Sequence, residues 1–191
     1  MNFIHEPGEP TLVMLHGTGG DEREMLEFGK QLRPGVGYLS IRGNEPERGM
    51  NRFFRRMAEG VFDEPNLRMR TEELASFVIE KVPNGKRVAV GFSNGANIAA
   101  AALLLRPEAF DGAALLAAMV PLTPDALPDL SGKEILLVSG RQDPMVPMEN
   151  ASRLAAMLRD SGASVDHFVH GGGHGLDQAS FAKTVDWLAK R

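Results

Sequence analysis

A chain of 191 residues is long enough for one domain with its own core, and its 43% hydrophobic and 24% charged residues are ordinary for a globular protein. The net charge of −4 offers no broad attraction to nucleic acid or to an anionic membrane surface. With no cysteine at all, disulfides, thiolate catalysis and cysteine-ligated metal centres are excluded.

Met1 to Pro7 lacks the basic start and apolar run of a signal peptide. The most apolar stretch, Ala113 to Leu122, is shorter than the ~20 residues that span a bilayer. A cytoplasmic protein with no membrane attachment is therefore expected. The first periodic segment is Thr11 to Leu15, whose unbroken apolar character suits a strand covered on both faces. It runs into His16-Gly17-Thr18-Gly19-Gly20. Asp21 then caps a helix from Glu22 to about Leu32, with acidic residues in the first turn as the helix dipole favours. Gly37 to Ile41 reads as the next strand.

Arg42 to Asn66 has no clean period and reads as a long ordered loop with room for a helical turn, of the kind that is usually functional. Its arginines at 42, 48, 52, 55 and 56 are offset by Glu45, Glu47, Glu59, Asp63 and Glu64, so it makes no basic patch for nucleic acid. Leu67 to Val82 is an amphipathic helix with Asn66 as its cap. Arg87 to Val90 is a buried strand, and Ala96 to Leu105 a helix. Further strands are expected at 112–118, 134–140 and 164–169, and further helices at about 148–161 and 178–189. Strands alternating with helix-length segments give a single α/β domain over residues 1–191, with about six mostly parallel strands and helices on both faces.

Between the third strand and its helix lies Gly91-Phe92-Ser93-Asn94-Gly95. A G-x-S-x-G in that setting is a nucleophile elbow, a turn so tight that a Cβ at either glycine would collide with a neighbouring element. Ligands of open parallel sheets sit beyond the carboxyl ends of the strands. The residues there are His16 to Thr18, Ser93, Asp143 and His174, and the last three follow the chain order of an α/β-hydrolase triad. A serine hydroxyl attacks only when an imidazole takes its proton, and that imidazole needs a carboxylate to hold its tautomer. Ser93 is assigned as nucleophile, His174 as base and Asp143 as orienting carboxylate. The backbone N–H groups of Asn94 and Thr18 are the expected oxyanion donors.

Rival assignments are weaker. Asp166 lies inside a strand and Asp177 is too close to the histidine; His170 is the nearest alternative base. His16 suits support of the oxyanion loop, and His5 falls in a mobile N-terminus. The loop 17–20 lacks the Lys-Ser/Thr of a P-loop and the third glycine of a dinucleotide fingerprint. No H-E-x-x-H pairs the histidines for zinc. No metal and no cofactor are expected. Phe53 and Phe54 either wall the substrate pocket or belong to the core. Met119, Val120 and Pro121, after the fourth strand, offer another apolar side to the pocket.

Together L-H-G-T-G-G-D (15–21), R-F-F-R-R (52–56), G-F-S-N-G-A (91–96), G-R-Q-D-P-M-V-P (140–147) and G-H-G (173–175) resemble the small bacterial carboxylesterases. These are akin to acyl-protein thioesterases, and the resemblance extends to the hydroquinone-resistance-associated hydrolases. It implies a minimal α/β-hydrolase without a large cap domain, a cofactor-free serine esterase acting on small or medium esters or thioesters. A departure is also expected: the chain opens on the strand before the His-Gly loop, leaving out most antiparallel edge strands. Dimers are frequent in such a family, so the apolar residues of the two irregular loops serve either a pocket or a homodimer interface.

Overall fold

The computed structural model describes residues 1–191. Its elements are β1 (Phe3–Glu6), β2 (Thr11–Leu15), α1 (Glu22–Leu32), β3 (Gly37–Ile41), β4 (Glu45–Glu47), β5 (Met50–Arg52), β6 (Arg56–Ala58), β7 (Val61–Phe62), α2 (Glu64–Lys81), β8 (Arg87–Phe92), α3 (Asn94–Leu105), β9 (Gly112–Leu116), β10 (Glu134–Gly140), α4 (Met148–Asp160), β11 (Ser164–His170) and α5 (Gln178–Leu188). Seven strands form the central sheet in the order β1-β3-β2-β8-β9-β10-β11. All pairs are parallel except β1 against β3.

The continuous apolar runs become strands because both faces are covered. Val13 and Leu15 of β2 face a core of 34 buried residues shared with α2, α3 and α4, whereas Leu12 and Met14 face a second core of 14 with α1 and α5. The alternation follows from the two-residue period of a strand. Gly29 lets α1 lie close on β2, since a methyl there would press on the Met14 side chain at 3.1 Å.

Three expectations need correction. The N-terminus is held in the sheet: Phe3–Glu6 is an antiparallel edge strand, with His5 opposite Leu39, and with it the expected sheet of about six strands has seven. Nor is 42–66 a plain loop. It folds into two antiparallel hairpins, β4–β5 and β6–β7. The first turns through Arg48 and Gly49, both at positive φ (51° and 82°), the geometry of the hairpin turns that match strand twist. Helix α2 also starts earlier than expected. Asp63 caps it, accepting from Asn66 N–H, and Pro65 sits in the first turn, where no intrahelical N–H is required.

The strand order places the site. From β2 the chain steps to β3, then returns past β2 to β8, so successive connections diverge between β2 and β8. At such a switch point the post-strand loops separate and leave a crevice.

Candidate active site

Ser93 stands at the head of this crevice. Its backbone is at φ 51° and ψ −113°, a conformation that L-residues avoid, at a cost of about 1–3 kcal/mol. The flanking glycines make the turn possible. A methyl on Gly91 would lie 2.6 Å from the Gly95 carbonyl, and one on Gly95 would strike the Leu15 carbonyl oxygen. Ser93 N–H is anchored on Leu116 O at 2.8 Å, tying the elbow to β9.

Nε2 of His174 is 2.8 Å from Ser93 Oγ, and its Nδ1 is 2.7 Å from Asp143 Oδ2. The other carboxylate oxygen, Oδ1, accepts from the N–H groups of Met145 and Val146 at 2.8 and 3.0 Å. The Asp143 side chain is only 1% exposed, so no solvent competes for the imidazole. The loops carrying Asp143 and His174 are laced together: Arg141 N–H donates to His170 O and Gln142 N–H to Gly172 O. A methyl on Gly140 would meet the Gly173 carbonyl, so the two loops touch without side chains between them.

The side of the crevice expected to hold an oxyanion is built from three segments. Asn94 is the first residue of α3, and its N–H has no intrahelical acceptor. Thr18 N–H donates to no backbone oxygen, although Gly19 and Gly20 on either side of the turn are bonded to Asn51 O and Gly17 O. Residues 51–53 clamp both donors. Asn51 Nδ2 donates to Gly20 O at 2.9 Å, Arg52 Nη1 to Thr18 Oγ1 at 2.6 Å, and Phe53 N–H to Asn94 Oδ1 at 2.7 Å. Arg52 is buried, and burial first, then the charge of Arg56, lowers its pKa against the pull of Glu47. Guanidinium stays charged regardless. His16 supports the same loop as the sequence suggested, with Nδ1 on Gly17 O at 2.6 Å and Nε2 accepting from Gly43 N–H at 2.9 Å. Burial lowers its pKa, outweighing the Gly17 carbonyl and the charges of Asp21 and Glu22, which keeps the ring neutral as that bonding requires.

A nucleophile hydrogen-bonded to an imidazole, an imidazole held by a buried carboxylate, and two free N–H groups beside the nucleophile are the parts of an acyl-transfer site. Comparison with known proteins identifies the family. Residues 64–191 match the model of the family described as Phospholipase/Carboxylesterase. The chain belongs to the phospholipase/carboxylesterase family.

The hydrolase MhqD of Bacillus subtilis (strain 168) is 41% identical over 194 residues, spanning 98% of this chain and 97% of MhqD. The crystal structure of the Bacillus cereus carboxylesterase superposes with a TM-score of 0.94 at 37% identity, covering 100% of this chain and 94% of that one. A carboxylesterase from Mesorhizobium loti gives 0.87 at 29% identity, over 95% and 88% of the two chains. The seven-stranded sheet is thus the α/β-hydrolase fold of this family, and no helix is long and apolar enough to cross a membrane.

Within this family fold, the sequence-assigned Ser93, Asp143, His174, Thr18 and Asn94 all converge on one crevice. The expected pocket wall is different. Phe53 and Phe54 are core residues, 2% and 0% exposed, with Phe53 against His16 and Phe54 edge-on to Phe62. Met119 does line the pocket, but Val120 and Pro121 turn away, with Val120 N–H held by Asn150 Oδ1 at 2.7 Å. Their places are taken by Arg52, Arg56 and Glu59 from the hairpins, together with Phe62, Met145 and Val146. The Arg-Phe-Phe-Arg string held the signal. Arg52 and Arg56, which flank the aromatic pair in that string, are the ones that reach the pocket.

Proposed function

We propose that the protein is a serine carboxylesterase that hydrolyses small to medium carboxylic esters, or thioesters, through a covalent acyl-enzyme. The observation that carries this reading is the continuous Ser93–His174–Asp143 chain at 2.8 and 2.7 Å beside the unclaimed Thr18 N–H.

Ser93 Oγ attacks the acyl carbon while His174 Nε2 takes the hydroxyl proton. The Thr18 and Asn94 N–H groups receive the charge that develops on the carbonyl oxygen. Asp143, with hydrogen bonds on both carboxylate oxygens, holds the imidazole and stabilises the imidazolium. The proton then passes from Nε2 to the leaving oxygen as the carbon–oxygen bond breaks. Water, deprotonated by the same nitrogen, attacks the acyl-enzyme, and the proton returns to Ser93 as the acid departs. No step calls for a cofactor. Each oxyanion donor is worth about 2.7–4 kcal/mol in the transition state.

The test is a panel of p-nitrophenyl esters and acyl thioesters with wild type and Ser93→Ala, alongside labelling by a fluorophosphonate. Turnover and labelling are expected in the wild type and lost in the variant. Undiminished turnover by Ser93→Ala would overturn the assignment.

A further inference from the structure

The pocket at Ser93, which Thr18, Asn94 and His174 also line, is nearly closed. Met119, Met145 and Phe62 crowd it beneath the Arg56–Glu59 pair, and about 20 Å³ of interior space remains. That is room for roughly one water-sized group. Past Phe92, the residue before Ser93, lies an apolar trough of about 260 Å³ formed by Met25, Phe28, Phe92 and Leu176 alone. It continues along Met25, Phe28 and Phe92 to Gly17 and Thr18 of the oxyanion loop. Phe92 precedes the nucleophile, and its ring lies 5.5 Å from the His174 ring, centroid to centroid. Phe28, Phe92 and Leu176 are each partly exposed, resting on the core shared with α1 and α5.

The chemistry assigns the two sides, given the serine-esterase reading on which this step rests. The leaving oxygen must face His174 Nε2, because that nitrogen supplies its proton. Its substituent is therefore directed past His174 and Phe92, toward the trough. The acyl group, held with its oxygen at Thr18 and Asn94, is left with the narrow side. We propose that the trough of Met25, Phe28, Phe92 and Leu176 binds the alcohol portion of the substrate, and that the preferred substrates are short-acyl esters of an apolar, ring-sized alcohol. The volume suits a fragment rather than a drug-sized ligand, which takes ~300 Å³ or more. Four apolar walls offer no hydrogen bond, so a sugar or a charged alcohol would lose water without compensation.

The experiment measures kcat/KM for the ethyl, benzyl and 2-naphthylmethyl esters of acetate, butanoate and octanoate, whose alcohols differ little in acidity. Benzyl acetate is expected to exceed ethyl acetate by about tenfold, from burial of the ring. Octanoates should be no better than acetates. In Phe28→Ala and Leu176→Ala, taken separately, the benzyl-to-ethyl ratio should collapse to about twofold or less. Benzyl alcohol should inhibit the wild type competitively, and more weakly in either variant. The ratio is internal to each variant, so a loss of active protein does not mimic it. Turnover with an unchanged ratio in both variants, or a steady gain with acyl length, refutes the alcohol-site assignment while leaving the serine esterase standing. No turnover of any ester and no fluorophosphonate labelling would instead remove the esterase reading, and this inference with it.

Discussion

Replacing Arg52 with methionine tests how the oxyanion side is held. Its guanidinium makes two hydrogen bonds, Nη1 to Thr18 Oγ1 at 2.6 Å and Nε to Phe54 O at 3.1 Å, and sits 3.7 Å from a carboxylate oxygen of Glu47. That Glu47 oxygen is buried with no hydrogen bond, so the cation is its electrostatic partner. Losing charge-assisted bonds costs about 1.5–3 kcal/mol each, but removing a poorly solvated cation returns part of it. A net destabilisation of about 2 kcal/mol in urea unfolding is expected on that balance.

The rate effect is bounded from both sides. Complete loss of one oxyanion donor would cost about 2.7–4 kcal/mol. Gly19 N–H on Asn51 O and Asn51 Nδ2 on Gly20 O still anchor the loop, so Thr18 is loosened rather than released. Half the full loss, about 1.4–2 kcal/mol, corresponds to a roughly 10- to 30-fold fall in kcat. Because the donor strengthens only as the oxyanion forms, KM for p-nitrophenyl acetate should change little. Thr18→Val removes the hydroxyl that Arg52 holds and keeps the N–H. The two changes should therefore be strongly non-additive in a double-mutant cycle. Fully additive losses, or a kcat for Arg52→Met within about threefold of wild type (under about 0.7 kcal/mol), would show that Arg52 does not act through Thr18.

Further outcomes follow from the same geometry. Gly95→Ala drives a methyl against the Leu15 carbonyl and to 2.6 Å from the His16 carbonyl, backbone on both sides, so a loss of about 3 kcal/mol or failure to accumulate as folded protein is expected, read by urea unfolding. Ser93→Gly removes the Cβ from a strained backbone and should unfold at a higher temperature than Ser93→Ala, by an amount worth about 1 kcal/mol; equal midpoints would argue against stored strain. His16 and His167 both have pKa values lowered from 6.5, chiefly by burial and for His167 also by Arg159. The unfolded chain then binds more protons below pH 6.5, so their contribution is full above that pH and is lost as pH falls toward the folded values. The unfolding free energy from urea titration should fall between pH 7.5 and 5.5, by at most about 1.4 kcal/mol per pH unit for each group, and His16→Gln should flatten the slope.

Those parts of the molecule governed by local rules were legible in the sequence. Buried parallel strands such as Thr11–Leu15 and Arg87–Phe92 carry their own signal, because covering both faces demands unbroken apolar residues. The elbow glycines are equally plain, since no other residue fits. Non-local features were hidden. Phe3–Glu6 is four residues without alternation and owes its form to pairing with β3, more than thirty positions on. The hairpins at 45–62 turn on Arg48-Gly49, where an arginine accepts a positive φ that its sequence does not advertise. Phe53 and Phe54 were open between pocket and core; packing against His16 and Phe62 decided it. The clamp by Arg52 has no pattern of its own, because it bridges residues 34 positions apart.

The lacing of the β10 and β11 loops has a consequence for how this site fails. Asp143 and His174 ride on the last two strands of one flank, with β11 at the sheet margin, while Ser93 sits deeper, separated from β10 by β9. Margins of a sheet open at lower free energy than its centre. Acid and base should therefore depart together, as a hinged leaf, leaving the serine in place on an otherwise intact body. On warming, inactivation should run ahead of global melting, with amide exchange accelerating first along 164–174, and the loss should reverse on cooling because the leaf carries its own internal stitching back to the same seat.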